Sequence, residues 1–162
     1  MNAQSTVQST APVHVTVIPT MRYRDAPKMI DWLCKAFGFE KHFVVPGEGG
    51  EIAHAQLTFG NGMIMCGSAR DDDWGKLVKA VDAGRATTGA AYVVVRDVDA
   101  HYARARGAGA EIVRPLDDTP YGSREYAARD PEGHVWSFGQ TMRKVSREEA
   151  EKASGLKIEG WA

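Results

Sequence analysis

Five histidines, His14, His42, His54, His101 and His134, are the side chains of this 162-residue chain best suited to bind a metal or move a proton. His54 has a polar companion at strand spacing. Gln56 follows two residues later, and alternation along a strand turns both to one face, while Glu51 falls on the opposite parity. A metal site needs at least three converging ligands. His54 would therefore have to draw partners from distant segments, and the simpler reading makes it a polar residue that lines a groove or touches a partner. His101 falls in a helical segment and is expected on its wet side; His134 borders a turn. The triplet Asp71-Asp72-Asp73 could cap a helix or bind a cation, but adjacent carboxylates repel and are expected in a solvated loop. Ser68, Ser123 and Ser137 lack an adjacent His–acid pair, and Cys66 in an apolar strand is expected to be inert. Gly107-Ala108-Gly109 does not open a helix after a strand, so it is no phosphate loop.

The elements that must carry these residues are those of an ordinary globular chain. Twenty Lys+Arg against 21 Asp+Glu give a formal charge of −1, which argues against a nucleic-acid binder. At 43% hydrophobic and 25% charged the composition excludes wholesale disorder. No apolar run approaches the ~20 residues of a membrane span. The first residues, MNAQSTVQSTAPV, lack the basic start and apolar stretch of an export signal. The expectation is a cytoplasmic protein, in contact with neither nucleic acid nor membrane, with Cys34 and Cys66 both reduced.

The chain repeats itself. Tyr23-Arg24-Asp25 and Val95-Arg96-Asp97 lie 72 positions apart, and each joins an extended run to a helical segment. Gly38-Phe39-Glu40 and Gly109-Ala110-Glu111 lie 71 apart, as do Gly62 and Gly133. A period this long is too large for a solenoid turn and fits two copies of one supersecondary module. In the first, a β-branched run at 13–18 predicts a strand. Asp25, Pro27 and the apolar Met29, Ile30, Leu33 and Phe37 predict a helix ended by Gly38. Strands follow at 40–45, 52–59 and 63–66, separated by glycine-rich turns. In the second, the corresponding segments are a strand at 91–95, a helix at 98–106, and strands at 111–113, 123–128 and 134–138. The fold class is α+β, two paired β-α-β-β-β modules. A loose tail (1–12) precedes module one (13–69), a linker (70–89) with a short helix at 74–81, and module two (90–140). The tail at 141–162 carries a short helix opened by the capping box of Ser146 and Glu149.

The paired modules, and a second half that ends Arg129-Asp130-Pro131-Glu132-Gly133-His134-Val135-Trp136-Ser137-Phe138, resemble the vicinal oxygen chelate superfamily. That group includes glyoxalase I, bleomycin resistance proteins, extradiol dioxygenases and fosfomycin resistance enzymes. The resemblance spans about 13–140 and implies curved mixed sheets around a groove. The Asp-Pro-Glu-Gly segment itself is read as a tight turn without chemistry.

The resemblance also says where metal ligands belong: one on the first strand and one on the last strand of each module, supplied by His, Glu or Gln. Counted from Asp25 and Asp97, the first-strand positions are Ile18 and Ala90. Counted from Asp130, the last-strand position of the second module is Ser137, and its first-module counterpart is Met65 or Cys66. Ile, Ala, Ser and Met make no site for a hard divalent ion, so no cofactor is expected. The groove contacts expected from alternation are His54, Gln56, Tyr92, Arg124, Tyr126 and Ser137, with Trp136 and Phe138 packed under a helix. The resemblance then implies a homodimer that binds a small organic molecule without a catalytic metal. The alternative is an enzyme of the same superfamily: a metal-independent lyase or isomerase, or a lyase or dioxygenase with displaced ligands.

Overall fold

Two β-α-β-β-β units follow one another in the computed structural model, which describes residues 15–82, 84 and 86–161. The first unit is β1 (Thr20–Tyr23), α1 (Ala26–Phe37), β2 (Glu40–Pro46), β3 (Ile52–Phe59) and β4 (Gly62–Ser68). After α2 (Asp73–Leu77), the second is β5 (Ala91–Val94), α3 (Val98–Gly107), β6 (Glu111–Asp118), β7 (Ser123–Arg129) and β8 (Val135–Thr141); α4 (Arg147–Ser154) closes the chain. The sheets have the order β1-β4-β3-β2 and β5-β8-β7-β6. Each is mixed, with β1/β4 and β5/β8 parallel and the remaining pairs antiparallel. The repeat extends to register: Thr20 pairs with Met65, and Tyr92, 72 positions on, pairs with Ser137.

Local chemistry sets the helices. Asp25 accepts from the backbone N–H of Lys28 at 3.2 Å, Pro27 sits in the first turn, and Gly38 ends α1 at φ +81°. Asp97 caps α3 in the same way through Ala100 N–H at 2.9 Å. The capping box at α4 is formed, with Ser146 accepting from Glu149 N–H and Glu149 accepting from Ser146 N–H. No helix among the described residues is long and apolar enough to cross a membrane.

Four expectations change. Of the run at 13–18, the described residues 15–18 are not the first strand. Val13, His14 and the tail 1–12 lie outside the described residues, residues 15–19 form no ladder, and Val17 is 79% exposed. Pairing begins where β1 can reach β4: Pro19, which has no N–H, still offers its carbonyl to Met65 N–H at 2.9 Å, and the ladder runs from Thr20 onward. β6 runs on through Pro115 to Asp118, which an edge strand allows. The helix expected at 74–81 is the shorter α2, and the acidic triplet serves it: Asp72 accepts from Gly75 N–H at 2.8 Å, and Asp73 pairs with Lys76 at 2.7 Å. His101 is on the buried side of α3, not the wet one.

Both units share one hydrophobic core. α1 packs against α3, and Phe37 at the end of α1 reaches β8 of the other unit, with ring centroids 5.6 Å from Trp136 and 4.7 Å from Phe138. Burying side chains of this size stabilises by roughly 1.5–3 kcal/mol each. One set of polar joints between the units comes from the turn before β8. Buried Asp130 accepts from Tyr23 O–H at 2.9 Å and Trp136 Nε1–H at 3.1 Å, and its Oδ1 accepts the backbone N–H of Glu132, Gly133 and His134. Glu132 accepts the backbone N–H of Arg24 at 2.6 Å and of Asp25 at 2.7 Å, where α1 begins. The Asp-Pro-Glu-Gly segment is thus more than a turn, because it joins the second unit to the first.

Candidate functional site

Each sheet has one face against the core and one open face. In the first sheet Met21, Tyr23, Ala55, Leu57, Ile64 and Cys66 point inward. The register then places Thr20, Arg22, His54, Gln56, Met63 and Met65 on the open face, with Phe43 opposite Gln56 and Val45 opposite His54. Gln56 Nε2 lies 3.5 Å from His54 Nε2, and the His54 ring is 5.5 Å from that of Phe43. In the second sheet Val93, Val95, Tyr126, Ala128, Trp136 and Phe138 belong to the core, so Tyr92, Val94, Glu125, Ala127 and Ser137 take the open face. Tyr92 is 52% and Val94 70% exposed.

This settles where the predicted contacts lie. His54 with Gln56, and Tyr92 with Ser137, stand on open faces, one pair on each sheet. Arg124 and Tyr126 do not. The turn at 130–134 pairs Arg129 with Val135, so Ser137 faces Ala127, and Tyr126 pairs with Phe138 on the core side. Tyr126 is buried, and its hydroxyl lies 2.6 Å from His101 Nδ1. Arg124 pairs with Asp118 at 2.7 Å and with Asp99 of α3 at 3.2 Å. These partners hold its pKa above the ordinary arginine value and that of Asp118 below the carboxylate range.

The register also resolves the last-strand position of the first unit. Met65, which pairs with Thr20 as Ser137 pairs with Tyr92, is the equivalent residue. Cys66 points into the core, where burial pushes its thiol up to about 12. Ile18 lies ahead of β1 and is half-buried, and exposed Ala90 lies ahead of β5. A cavity of about 610 Å³ between the starts of β1 and β5 takes in Thr20, Ala90 and His134 but none of the four open-face contacts. Among the described residues no group of three or more His, Cys, Asp or Glu side chains could hold a metal ion.

Sequence reasoning missed three charged or aromatic groups on the open faces. Arg22 lay on a strand whose start was misplaced, and Phe43 was obscured by the register shift after Lys41. Glu125 was lost to the inverted parity of β7. Its Oε1 accepts from Tyr92 O–H at 3.0 Å and Ser123 O–H at 2.7 Å. The phenol crosses β8 where Gly139 has no side chain: a Cβ there would meet Tyr92 Oη and sit 2.7 Å from its Cζ. Partial burial, then the Glu125 bond and charge, push the Tyr92 pKa up to about 12. Glu125→Gln is expected to lower the Tyr92 midpoint by about one pH unit, read by absorbance titration against Tyr92→Phe. An unchanged midpoint would refute the coupling.

The model of the family described as "Glyoxalase/Bleomycin resistance protein/Dioxygenase superfamily" matches residues 12–138. Protein Rv0887c of Mycobacterium tuberculosis strain H37Rv is 33% identical over 153 residues, covering 91% of this chain and 87% of that protein. Among solved structures, TioX from Micromonospora sp. ML1 is similar with a TM-score of 0.63 and 37% identity, over 77% of this chain and 97% of TioX. TnmS3, an antibiotic binding protein from Streptomyces sp. CB03234, is similar in fold, with a TM-score of 0.58 and 19% identity over 79% of this chain and 98% of its own.

Proposed function

The chain belongs to the glyoxalase/bleomycin resistance protein/dioxygenase superfamily, and on that basis we propose that it binds a small organic molecule on its open sheet faces, as a homodimer and without a catalytic metal. The observation that carries this reading is the identity of the four residues where metal-dependent relatives keep ligands: Ile18, Met65, Ala90 and Ser137. None gives a hard divalent ion a charged oxygen or an imidazole nitrogen. The surrounding faces have the composition of a binding site, apolar and aromatic with a few fixed polar groups. Phe43, Met63, Met65, Tyr92 and Val94 supply the body; His54, Gln56 and Ser137 supply orientation. TnmS3 is an example of this fold in an antibiotic binding protein.

Dimerisation follows the same surface. Phe43, Val45, Tyr92 and Val94 are all exposed in the single chain, on faces turned away from its core. A second copy that covers them would exclude water and convert two open sheets into a groove.

The test is native mass spectrometry of the protein purified without added metal, with elemental analysis of the same sample. The expected result is a dimer mass, a substoichiometric metal content after dialysis, and an organic adduct that is lost on denaturation. Stoichiometric Zn, Ni, Fe or Mn surviving dialysis would overturn the metal-free reading. A strictly monomeric mass at micromolar concentration would overturn the dimer.

A further inference from the structure

On the open face of the first sheet stands a cation with no ion-pair partner among the described residues. Arg22 pairs across β1/β4 with Gly67 and is only 8% exposed. Its guanidinium lies against that glycine: a Cβ on Gly67 would be 2.6 Å from Arg22 Nη1. The missing side chain of Gly67 is therefore the space the arginine occupies. Nη1 donates to the Ser68 carbonyl at 3.4 Å, beyond the usual N–H···O range. The buried Nε has no partner among the described residues. A guanidinium has five N–H donors in a planar fork, and among the described residues the Ser68 carbonyl is the one hydrogen-bond acceptor this fork reaches.

Arg24, Arg70, Arg124 and Arg129 each pair with a carboxylate, and Arg22 does not among the described residues. Arg22 lies instead in the field of Arg70, whose partner Asp72 is already engaged by that arginine and by the N-terminus of α2. Burial first, and then Arg70, hold the Arg22 pKa below its ordinary value, with Asp72 opposing them. Removing a donor from water without an acceptor forfeits its hydration, and the deficit is made good when a bound anion provides the acceptor.

We propose that Arg22 is the anion-recognising residue of the binding face, and that the small molecule bound there carries a carboxylate. This rests on the binding reading above and adds the chemical class of the ligand. A carboxylate matches the guanidinium fork with two parallel hydrogen bonds, and the Arg70–Asp72 ion pair stands beside it. The apolar remainder of the ligand then extends over Met65 and Phe43 on the same face.

The experiment compares 2-naphthoate with its neutral isostere 2-naphthamide by isothermal titration. Wild type is expected to bind the carboxylate at least about tenfold more tightly, the lower range for a charge-assisted hydrogen bond. Arg22→Met should abolish the preference, and Arg22→Lys should restore part of it. Should the Arg22 variants fail to fold, Arg70→Gln, at an exposed position, is expected to reduce the preference about threefold. Equal binding of the two probes by wild type, a preference that survives Arg22→Met, or one unmoved by Arg70→Gln, would overturn the inference and leave the binding reading standing. Failure of wild type to bind either probe would overturn the binding reading, and this inference with it.

Discussion

Replacing Asp130 by Ala lowers the unfolding free energy by about 3–5 kcal/mol, the range for removing one member of a buried charged network, measured by urea denaturation at neutral pH. The carboxylate accepts five hydrogen bonds, two from side chains that are themselves buried. In the alanine variant Trp136 Nε1–H has no acceptor and Tyr23 O–H keeps only the weak one of Met21 Sδ at 3.8 Å, and a stranded buried donor costs about 1–3 kcal/mol. Asp130→Asn separates the two halves of the network. Its amide oxygen still serves the three backbone groups, but its NH₂ now opposes the Tyr23 and Trp136 donors. An intermediate loss of about 1–3 kcal/mol is expected. The same carboxylate, after burial, raises the Tyr23 pKa well above its ordinary value. A loss below 1 kcal/mol for Asp130→Ala would show that the network does not couple the two units.

The second large effect is in pH. His101 Nε2 lies 2.9 Å from the Phe37 carbonyl, which only accepts, so the proton is on Nε2 and Nδ1 accepts from Tyr126 O–H at 2.6 Å. That assignment needs a neutral ring. Burial lowers its pKa below the ordinary 6.5, the bond to Phe37 opposes this, and Arg104 reinforces it. Between the lowered native value and 6.5 the unfolded chain binds more protons than the native one, so stability rises with pH across that window. The contribution is complete above pH 6.5 and is lost progressively as pH falls through the window. His101→Gln is expected to remove that dependence while losing about 2 kcal/mol at pH 7.5, since it keeps an N–H donor but leaves a smaller side chain in the core. The measurement is urea unfolding from pH 5 to 8 for both proteins. A variant that retains the wild-type slope would show that the titrating group lies elsewhere.

Much of the architecture was legible because the repeat constrains it twice. Asp25 and Asp97 each cap a helix after a strand, Gly38 ends α1, and β3 follows its alternating pattern from Ile52 to Phe59. The failures occurred where local pattern competes with pairing. Residues 15–18 have strand-like side chains, but nothing in a β-branched run says where its partner begins, and β4 receives only Thr20 onward. The open face was legible in the first unit because the short Gly60-Asn61 turn pairs Phe59 with Gly62 and fixes the parity of Gln56 against Met65. In the second unit the longer turn shifts the parity by one, and a one-residue slip reverses every side chain. Arg124 and Tyr126 exchanged faces with Glu125 for that reason. His101 was misplaced because α3 is weakly amphipathic. Its polar side chain is buried only because two partners, distant in sequence, satisfy both ring nitrogens.

The reach of Glu132 to the two backbone N–H groups at the start of α1 makes the two halves unequal. The first unit's own turn, Gly60-Asn61-Gly62, has no carboxylate, and that unit answers instead with backbone carbonyls: Phe37 O accepts from His101 Nε2–H, and Lys35 O and Cys34 O accept from Arg104. The two copies of the module thus contribute different groups to the seam, a carboxylate from the second and backbone carbonyls from the first. A fragment ending after β4 would therefore begin α1 with two unanswered amides and half a core. The two similar halves share one core and are not interchangeable at this seam.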